Sequence, residues 1–176
     1  MKNLFYLLFF ATLLASFGGC GGNGVDEAWR SANTNAYDSI AKLPSYHALQ
    51  TADKTGPEGV YYKVIQKGTG TVYPLQTSTV KVLYYGTFYD QKTYFDIGTS
   101  QSNAPATFSL AGNSTIRGFS FALQNMVVGD KWEIWIPYYL GYGAAGLTNS
   151  SYQTVIQGYT TLVFTVELVD ITLYPK

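Results

Sequence analysis

Few side chains in this sequence can do covalent chemistry. It holds one cysteine, Cys20, and one histidine, His47, and its 11 basic and 11 acidic residues balance to a formal net charge of zero. His47 sits in a polar, irregular stretch. No acid–base partner for it is visible, so it reads as exposed and inert. No cluster of His, Cys, Asp and Glu has metal-ligand spacing. No metal, nucleotide or redox cofactor is expected. What remains is non-covalent chemistry on apolar surface. Of the 176 residues 16% are aromatic, 16 of them Tyr, and only 12% are charged. Tyr suits half-buried pleated surfaces, so one reading is simply a β-rich protein. The other is an aromatic-lined binding surface. Lys and Arg are scattered, with no basic stripe for nucleic acid.

The residue that poses the question is Phe119, in the run Ile116 to Pro137, IRGFSFALQNMVVGDKWEIWIP. Phe119, Ala122, Leu123 and Met126 fall at i, i+3, i+4 and i+7, the stripe of a short amphipathic helix. Gly129-Asp130 breaks that period as a turn does. Trp132, Ile134 and Ile136 then recur every second residue, the period of a strand. An aromatic in the first turn of such a helix is either core filler or the floor of a pocket.

The elements that must position it follow from the same periods. Val60, Tyr62 and Val64 alternate with Tyr61, Lys63 and Ile65. Val80, Val82, Tyr84, Gly86 and Phe88 alternate with Lys81, Leu83, Tyr85 and Thr87. Leu162, Phe164, Val166 and Leu168 alternate with Val163, Thr165, Glu167 and Val169. These are strands with one buried face. With shorter extended pieces around Phe95 and Phe108, the expected fold is α+β: a five- to six-stranded curved antiparallel sheet wrapped around one short helix. The chain is long enough for one such core. There is no internal repeat.

Upstream, Leu4 to Phe17 is an apolar run too short to span a membrane and suited to a signal h-region. It ends at Ser16-Phe17-Gly18-Gly19-Cys20. This resembles the lipobox of bacterial lipoproteins, with Phe17 in place of the usual Leu. The resemblance implies lipidation at Cys20 and an anchored rather than spanning chain. The expected domains are a lipoprotein signal peptide at 1–19, a lipidated tether with a short helix at 20–58, and a folded domain at 59–176. In the tether, Gly21 to Gly24 reads as flexible. Asp26 to Leu43 reads as a helix, with Asp26 and Glu27 at its start and Pro44 after its end. That helix is short and moderately amphipathic, so a monomer is expected.

Taken together, VLYYG, YFDIG, FSL, TIRGFSFALQNMVVGDKWEIWIPYYLGYG and IQGYTTLVFTVELVDI resemble the FKBP-type peptidyl-prolyl cis–trans isomerases. The order and spacing hold from about Gly59 to Ile171. The resemblance implies a five-stranded antiparallel sheet curled around a short helix, which agrees with the periods above. It also implies a prolyl pocket. Phe119 would be its aromatic floor, where Trp is commonest. Tyr84, Phe95, Ile156 and Phe164 would be walls. The Ile116 N–H and the Tyr142 hydroxyl would hold substrate carbonyls. Asp96 would hold a tyrosine hydroxyl or bias the field at the pocket edge. Asp96, Tyr142 and Phe119 are thus the expected catalytic residues.

The match departs from the family in four places. Ala106 falls where an aromatic usually packs at the rim. Ile97-Gly98 replaces two small polar residues. Gln157-Gly158 replaces Pro-Pro, which implies a less rigid approach to the last strand. The Gly-, Asn- and Ser-containing loop from Gly143 to Val155 is long and suits an exposed flap. The function so implied is isomerisation of X–Pro bonds in exported proteins of the bacterial envelope, without a cofactor. Its clients would be proline-containing polypeptides. One alternative is a binding or chaperone module on the same fold with little isomerase activity. Another is a Tyr-rich lipoprotein binding a sugar or another partner.

Overall fold

A computed structural model of the chain describes residues 26–49, 59–112 and 114–172. The expected signal peptide, Cys20 and the glycine tether lie outside the described residues. No helix among the described residues is long and apolar enough to cross a membrane.

The first element is helix α1, Glu27–Ile40. Asp26 caps it, its carboxylate accepting the Trp29 N–H at 3.1 Å, and Glu27 adds charge in the first turn where the helix dipole favours it. The helix ends at Ala41, ahead of the expected Leu43. The N–H groups of Lys42 and Leu43 already bond three residues back, to Ser39 and Ile40, as a chain tightens before Pro44.

Strands follow as β1 (His47–Leu49), β2 (Val60–Gln66), β3 (Thr79–Phe88), β4 (Tyr94–Asp96) and β5 (Ala106–Ser109). Then come helix α2 (Arg117–Leu123), β6 (Lys131–Ile136), a single 3-10 turn (Tyr138–Leu140), β7 (Leu147–Thr148), β8 (Thr154–Ile156) and β9 (Leu162–Thr172). All pairings are antiparallel. The main sheet runs β1-β2-β6-β9-β3-β4, with β5 on the other half of the β3 edge. β7 and β8 form a separate hairpin. The α+β fold, with a curved antiparallel sheet around α2, is the one the periods predict.

One strand, β1, exceeds the expected five to six in the main sheet. β1 lies inside the stretch from Pro44 expected to be irregular. Three residues are too few to show a period, and the strand exists by pairing His47, Ala48 and Leu49 with Tyr62, Tyr61 and Val60. His47 stays exposed there, its ring 5.6 Å from that of Tyr62. The other unexpected feature is the β7–β8 hairpin, which is the expected flap folded on itself. Gly146 holds φ +73 there, and a Cβ on it would meet the Ile156 carbonyl at 2.2 Å.

The register stacks the inner row Tyr62, Ile134, Phe164 and Gly86 side by side across β2, β6, β9 and β3. Phe119, Ala122, Leu123 and Met126 of α2 and its exit press on that face, each 3% exposed or less. Gly118 lets α2 approach: a Cβ there would sit 2.4 Å from Cγ2 of Ile136. The turn after α2 is tied by Asp130. Its carboxylate accepts the N–H of Gly68 at 2.7 Å and of Val127 at 2.9 Å.

The outer face of the sheet is not left to water. The row Tyr61, Trp135 and Val163 is buried under α1, with Tyr37 and Ile40. Asn33, fully buried, pins the helix: its Oδ1 accepts the Thr161 N–H at 2.8 Å, and its carbonyl accepts the Thr161 hydroxyl. Trp29 donates from Nε1 to Oγ1 of Thr160 at 3.0 Å and meets Phe88 and Tyr89 edge-on. The alternation predicts a single buried face. In fact the outward set is buried as well where the N-terminal helix docks.

Candidate active site

The inner face opens at one end of α2. There a hollow of about 100 Å³ is lined by Tyr84, Asp96, Phe108, Ser114, Thr115, Ile116, Phe119, Tyr142 and Phe164. Phe119 is only 3% exposed, yet its ring borders this space. Phe164 lies 5.0 Å from it, and Phe108 and Tyr84 meet it edge-on at 5.8 and 5.9 Å. Edge-to-face pairs of this kind hold their geometry as well as burying area. The hollow has room for one small ring, well below the ~300–1,000 Å³ of drug-sized sites. Larger hollows are present too, one of about 320 Å³ beside it and one of about 330 Å³ against α1. This one stands out because four aromatic rings, a free hydroxyl and a carboxylate converge on it.

Each polar group is held by local structure. Tyr84 is fixed at both backbone atoms: its N–H donates to Oγ1 of Thr99 at 2.7 Å, and its carbonyl accepts the Thr99 N–H at 2.8 Å. Asp96 stands opposite Gly86 at the end of β4. The Tyr84 hydroxyl donates to its Oδ2 at 3.0 Å and the Gly98 N–H to its Oδ1 at 2.8 Å. Gly98 holds φ +47, and a Cβ on it would lie 2.3 Å from the Tyr84 carbonyl oxygen. Only glycine fits both demands. Burial, with the Asp96 carboxylate beside it, pushes the Tyr84 hydroxyl up to about 12. The same two causes push Tyr142 upward. Both therefore stay protonated donors at neutral pH. The Tyr142 hydroxyl has no hydrogen-bond partner among the described residues, nor does the Ile116 N–H. Two donors thus border an apolar hollow, available to a ligand's carbonyl oxygens.

Six of the eight residues expected at the pocket line this one hollow: Tyr84, Asp96, Ile116, Phe119, Tyr142 and Phe164. Phe95 and Ile156 stand one layer back. Phe95 packs edge-on behind Phe164 at 5.3 Å, in space that a Cβ on Gly86 would fill, 2.4 Å from its Cζ. Ile156 is 2% exposed within the main core. They brace the wall and do not form it.

Phe108 was the residue missed. Ala106 does leave the rim without an aromatic ring at its position, but Phe108, two residues further along the same face of β5, brings its ring to Phe119 and Tyr84. The alternation around Phe108 already carried that signal. Ser114 and Thr115 were also missed, since small polar residues before a helix give no such sign. The approach to β9 lacks Pro-Pro but is held by hydrogen bonds. Oγ1 of Thr160 donates to the Gln157 carbonyl at 2.6 Å and the Tyr159 N–H to the Gly143 carbonyl at 3.0 Å.

The chain is similar to known proteins in sequence and in fold. A family model described as FKBP-type peptidyl-prolyl cis-trans isomerase matches residues 70–169, more than half of the chain. The FKBP-type 22 kDa peptidyl-prolyl cis-trans isomerase of Escherichia coli is 40% identical over 113 residues, 64% of this chain and 50% of that protein. The FKBP-type peptidyl-prolyl cis-trans isomerase FkpA of the same organism is 35% identical over 145 residues, 81% of this chain and 50% of that protein. The chain thus spans about half the length of the curated relatives it matches. A crystal structure of a peptidyl-prolyl cis-trans isomerase from Pseudomonas syringae pv. tomato superposes with a TM-score of 0.67 at 31% identity, covering 87% of this chain and all of that one. With the matched region containing α2, its flanking strands and the whole hollow, the chain belongs to the FKBP-type peptidyl-prolyl cis-trans isomerase family.

Proposed function

We propose that the chain is a peptidyl-prolyl cis–trans isomerase of the bacterial cell envelope, held there by a lipid at Cys20, and that it assists folding of exported proline-containing proteins as a monomer. The observation that carries the reading is the convergence of Phe119, Phe164, Tyr84 and Phe108 on a ring-sized hollow with the Ile116 N–H and Tyr142 hydroxyl at its edge. The envelope is supported by a relative named outer membrane protein MIP, from Legionella longbeachae, 36% identical over 115 residues.

The chemistry is a rotation. An X–Pro bond turns over a barrier of ~18–20 kcal/mol because the amide is conjugated. Its cis and trans forms differ little in energy, so both need interconverting. Twisting removes the conjugation and leaves a less polar group. Aromatic walls therefore favour the twisted bond over the planar one, whereas water favours the planar dipole. Each ~1.4 kcal/mol of that difference is tenfold in rate. The pyrrolidine ring rests on Phe119. The Ile116 N–H and Tyr142 hydroxyl take the flanking carbonyls and fix the bend of the chain. Asp96 accepts no proton in this scheme; it orients Tyr84 and sets the field at the rim.

The test is an isomerase assay on short X–Pro–Phe peptides with the chain from Val25 onward. Acceleration that Phe119→Leu reduces supports the reading. No acceleration at micromolar protein, with binding of unfolded protein retained, would leave the chaperone reading. That alternative draws on the β7–β8 hairpin, where Leu147, Val155 and the 93% exposed Tyr152 present apolar surface.

A further inference from the structure

At the start of α2 a second hollow, of about 320 Å³, adjoins the first and shares Thr115 with it. The boundary is one step of backbone. Ile116 borders the first hollow and Arg117 the second; Tyr142 borders the first and Leu140, two residues earlier, the second. The second hollow mixes carbon, from Leu110, Phe121 and Leu140, with polar groups, from Arg117, Gln76 and Gln124. Among the described residues no carboxylate lines it. The ion pairs among the described residues join Arg30 to Glu27, Lys81 to Asp170 and Lys131 to Glu167. Arg117 is in none of them. The two adjoining hollows therefore have a carboxylate, Asp96, in the first and, among the described residues, a guanidinium outside any ion pair in the second.

We propose that the second hollow is a subsite for the client residue flanking the proline, and that Arg117 makes it select an aspartate or glutamate there. The proposal rests on the isomerase reading of the first hollow. Successive Cα atoms lie ~3.8 Å apart, so a chain whose proline fills the first hollow passes Thr115 within a residue or two. A carboxylate arriving there meets a planar fork of donors matched to its two oxygens, and its methylenes lie against Phe121. A lysine at the same place meets like charge with no acceptor carboxylate to offset it. The opposite charge of Asp96 gives the groove a direction, so an acid is favoured on one side of the proline and not on the other.

The experiment measures cis–trans exchange by NMR on the full chain, with peptides carrying Glu, Gln or Lys immediately before or immediately after the proline. For the wild type, kcat/KM for the Glu peptide exceeds that for its Lys twin by about two- to fivefold at one of the two positions, as a partly exposed ion pair gives. The preference shrinks at about 0.5 M salt. Arg117→Lys keeps its sign and Arg117→Glu reverses it. A Glu-to-Lys ratio of one at both positions, or a ratio unmoved by Arg117→Glu, overturns the proposal. The Gln peptides test the underlying activity separately. Should the wild type fail to accelerate them, the isomerase reading fails, and the subsite is judged on peptide affinity from the same titrations. Tighter Glu than Lys binding that Arg117→Glu abolishes upholds it, and equal binding overturns it.

Discussion

The hydroxyl of Tyr84 donates to Oδ2 of Asp96 across 3.0 Å, while the other carboxylate oxygen takes the Gly98 N–H at 2.8 Å. Asp96 is thus occupied on both oxygens by its own loop and sheet. It acts on the hollow by holding Tyr84 in place as a wall. Asp96→Ala removes a charge-assisted bond worth ~1.5–3 kcal/mol. If that bond fixes the wall in the twisted state, kcat/KM falls about ten- to a hundredfold. Tyr84→Phe should fall by less, since the ring stays. The double variant should fall no further than Asp96→Ala alone. Additive losses would mean that the two residues act independently.

The same pair gives a pH signature. The Tyr84 hydroxyl ionises at about 12 in the fold, above its ordinary value of 10, through burial first and the Asp96 charge second. Below pH 10 the hydroxyl is protonated in folded and unfolded chains alike, and its stabilisation is complete. It is lost as pH rises from 10 through about 12, where the unfolded chain ionises first. Urea midpoints of the wild type should therefore fall more steeply over that window than those of Tyr84→Phe. Parallel curves would show that the pair holds no proton. Between about pH 6 and 9 the isomerase rate should be flat, because rotation moves no proton.

Phe119 bears on stability as well as on the proposed catalysis. Truncation to Ala removes a ring packed against three others and costs ~3–5 kcal/mol, against a total of ~5–15 for a domain. Phe119→Leu separates the two effects, since it keeps most of the buried carbon. It should lower kcat/KM about tenfold with a fall in Tm of only a few degrees. Activity equal to the wild type would remove Phe119 from the floor of the site.

How much of this was legible in the sequence depended on element length and on which face was being read. α2 declared itself by apolar spacing over eight residues, and β3, β6 and β9 by alternation over five or more. The hollow followed because Tyr84 and Phe164 fall in the inward sets and Phe119 in the helical stripe. β1 was not legible, since its three residues pair only because β2 supplies a partner. The covered outer face was hidden for another reason. Tyr61, Trp135 and Val163 occupy the outward phase of their strands, and Asn33 looks like a solvent residue on α1. Only the register shows that the first three form one row. Position matched to a family pattern pointed to Ala106 for the rim, whereas the side chains themselves put Phe108 there.

Gly98 links the loop after β4 to the site. At φ +47 an alanine is strained, and its Cβ would meet the Tyr84 carbonyl oxygen at 2.3 Å, an atom held by the sheet and unable to move aside. Gly98→Ala should destabilise by more than the ~1 kcal/mol of the left-handed conformation alone and should displace Asp96, lowering activity with stability. Gly112→Ala is the matched control: φ is +75, but nothing lies within 4 Å of the added Cβ. It should cost only the conformational part and leave Asp96 in place. Equal losses in both would deny the close approach at Gly98.

Asn33 tests whether α1 belongs to the folded unit. Its Oδ1 is the acceptor for the Thr161 N–H, and its Nδ2 donates to the Trp29 carbonyl at 2.9 Å. Asn33→Ala leaves the Thr161 N–H without that acceptor in a buried place, a cost of ~1–3 kcal/mol. Asn33→Asp keeps the acceptor but buries a charge and loses the Nδ2 donor to the Trp29 carbonyl, and should cost at least as much. If α1 were an independent tether, neither change would move the unfolding midpoint of the sheet, read from the Trp132 and Trp135 fluorescence with Trp29, which lies on α1, replaced by Phe throughout. Docked as it is over Tyr61, Trp135 and Val163, it should make helix and sheet melt in one transition that both variants shift downward together. A variant in which α1 melts first while the tryptophan signal of the sheet holds would show that the helix is an accessory to the fold and no part of its cooperative core.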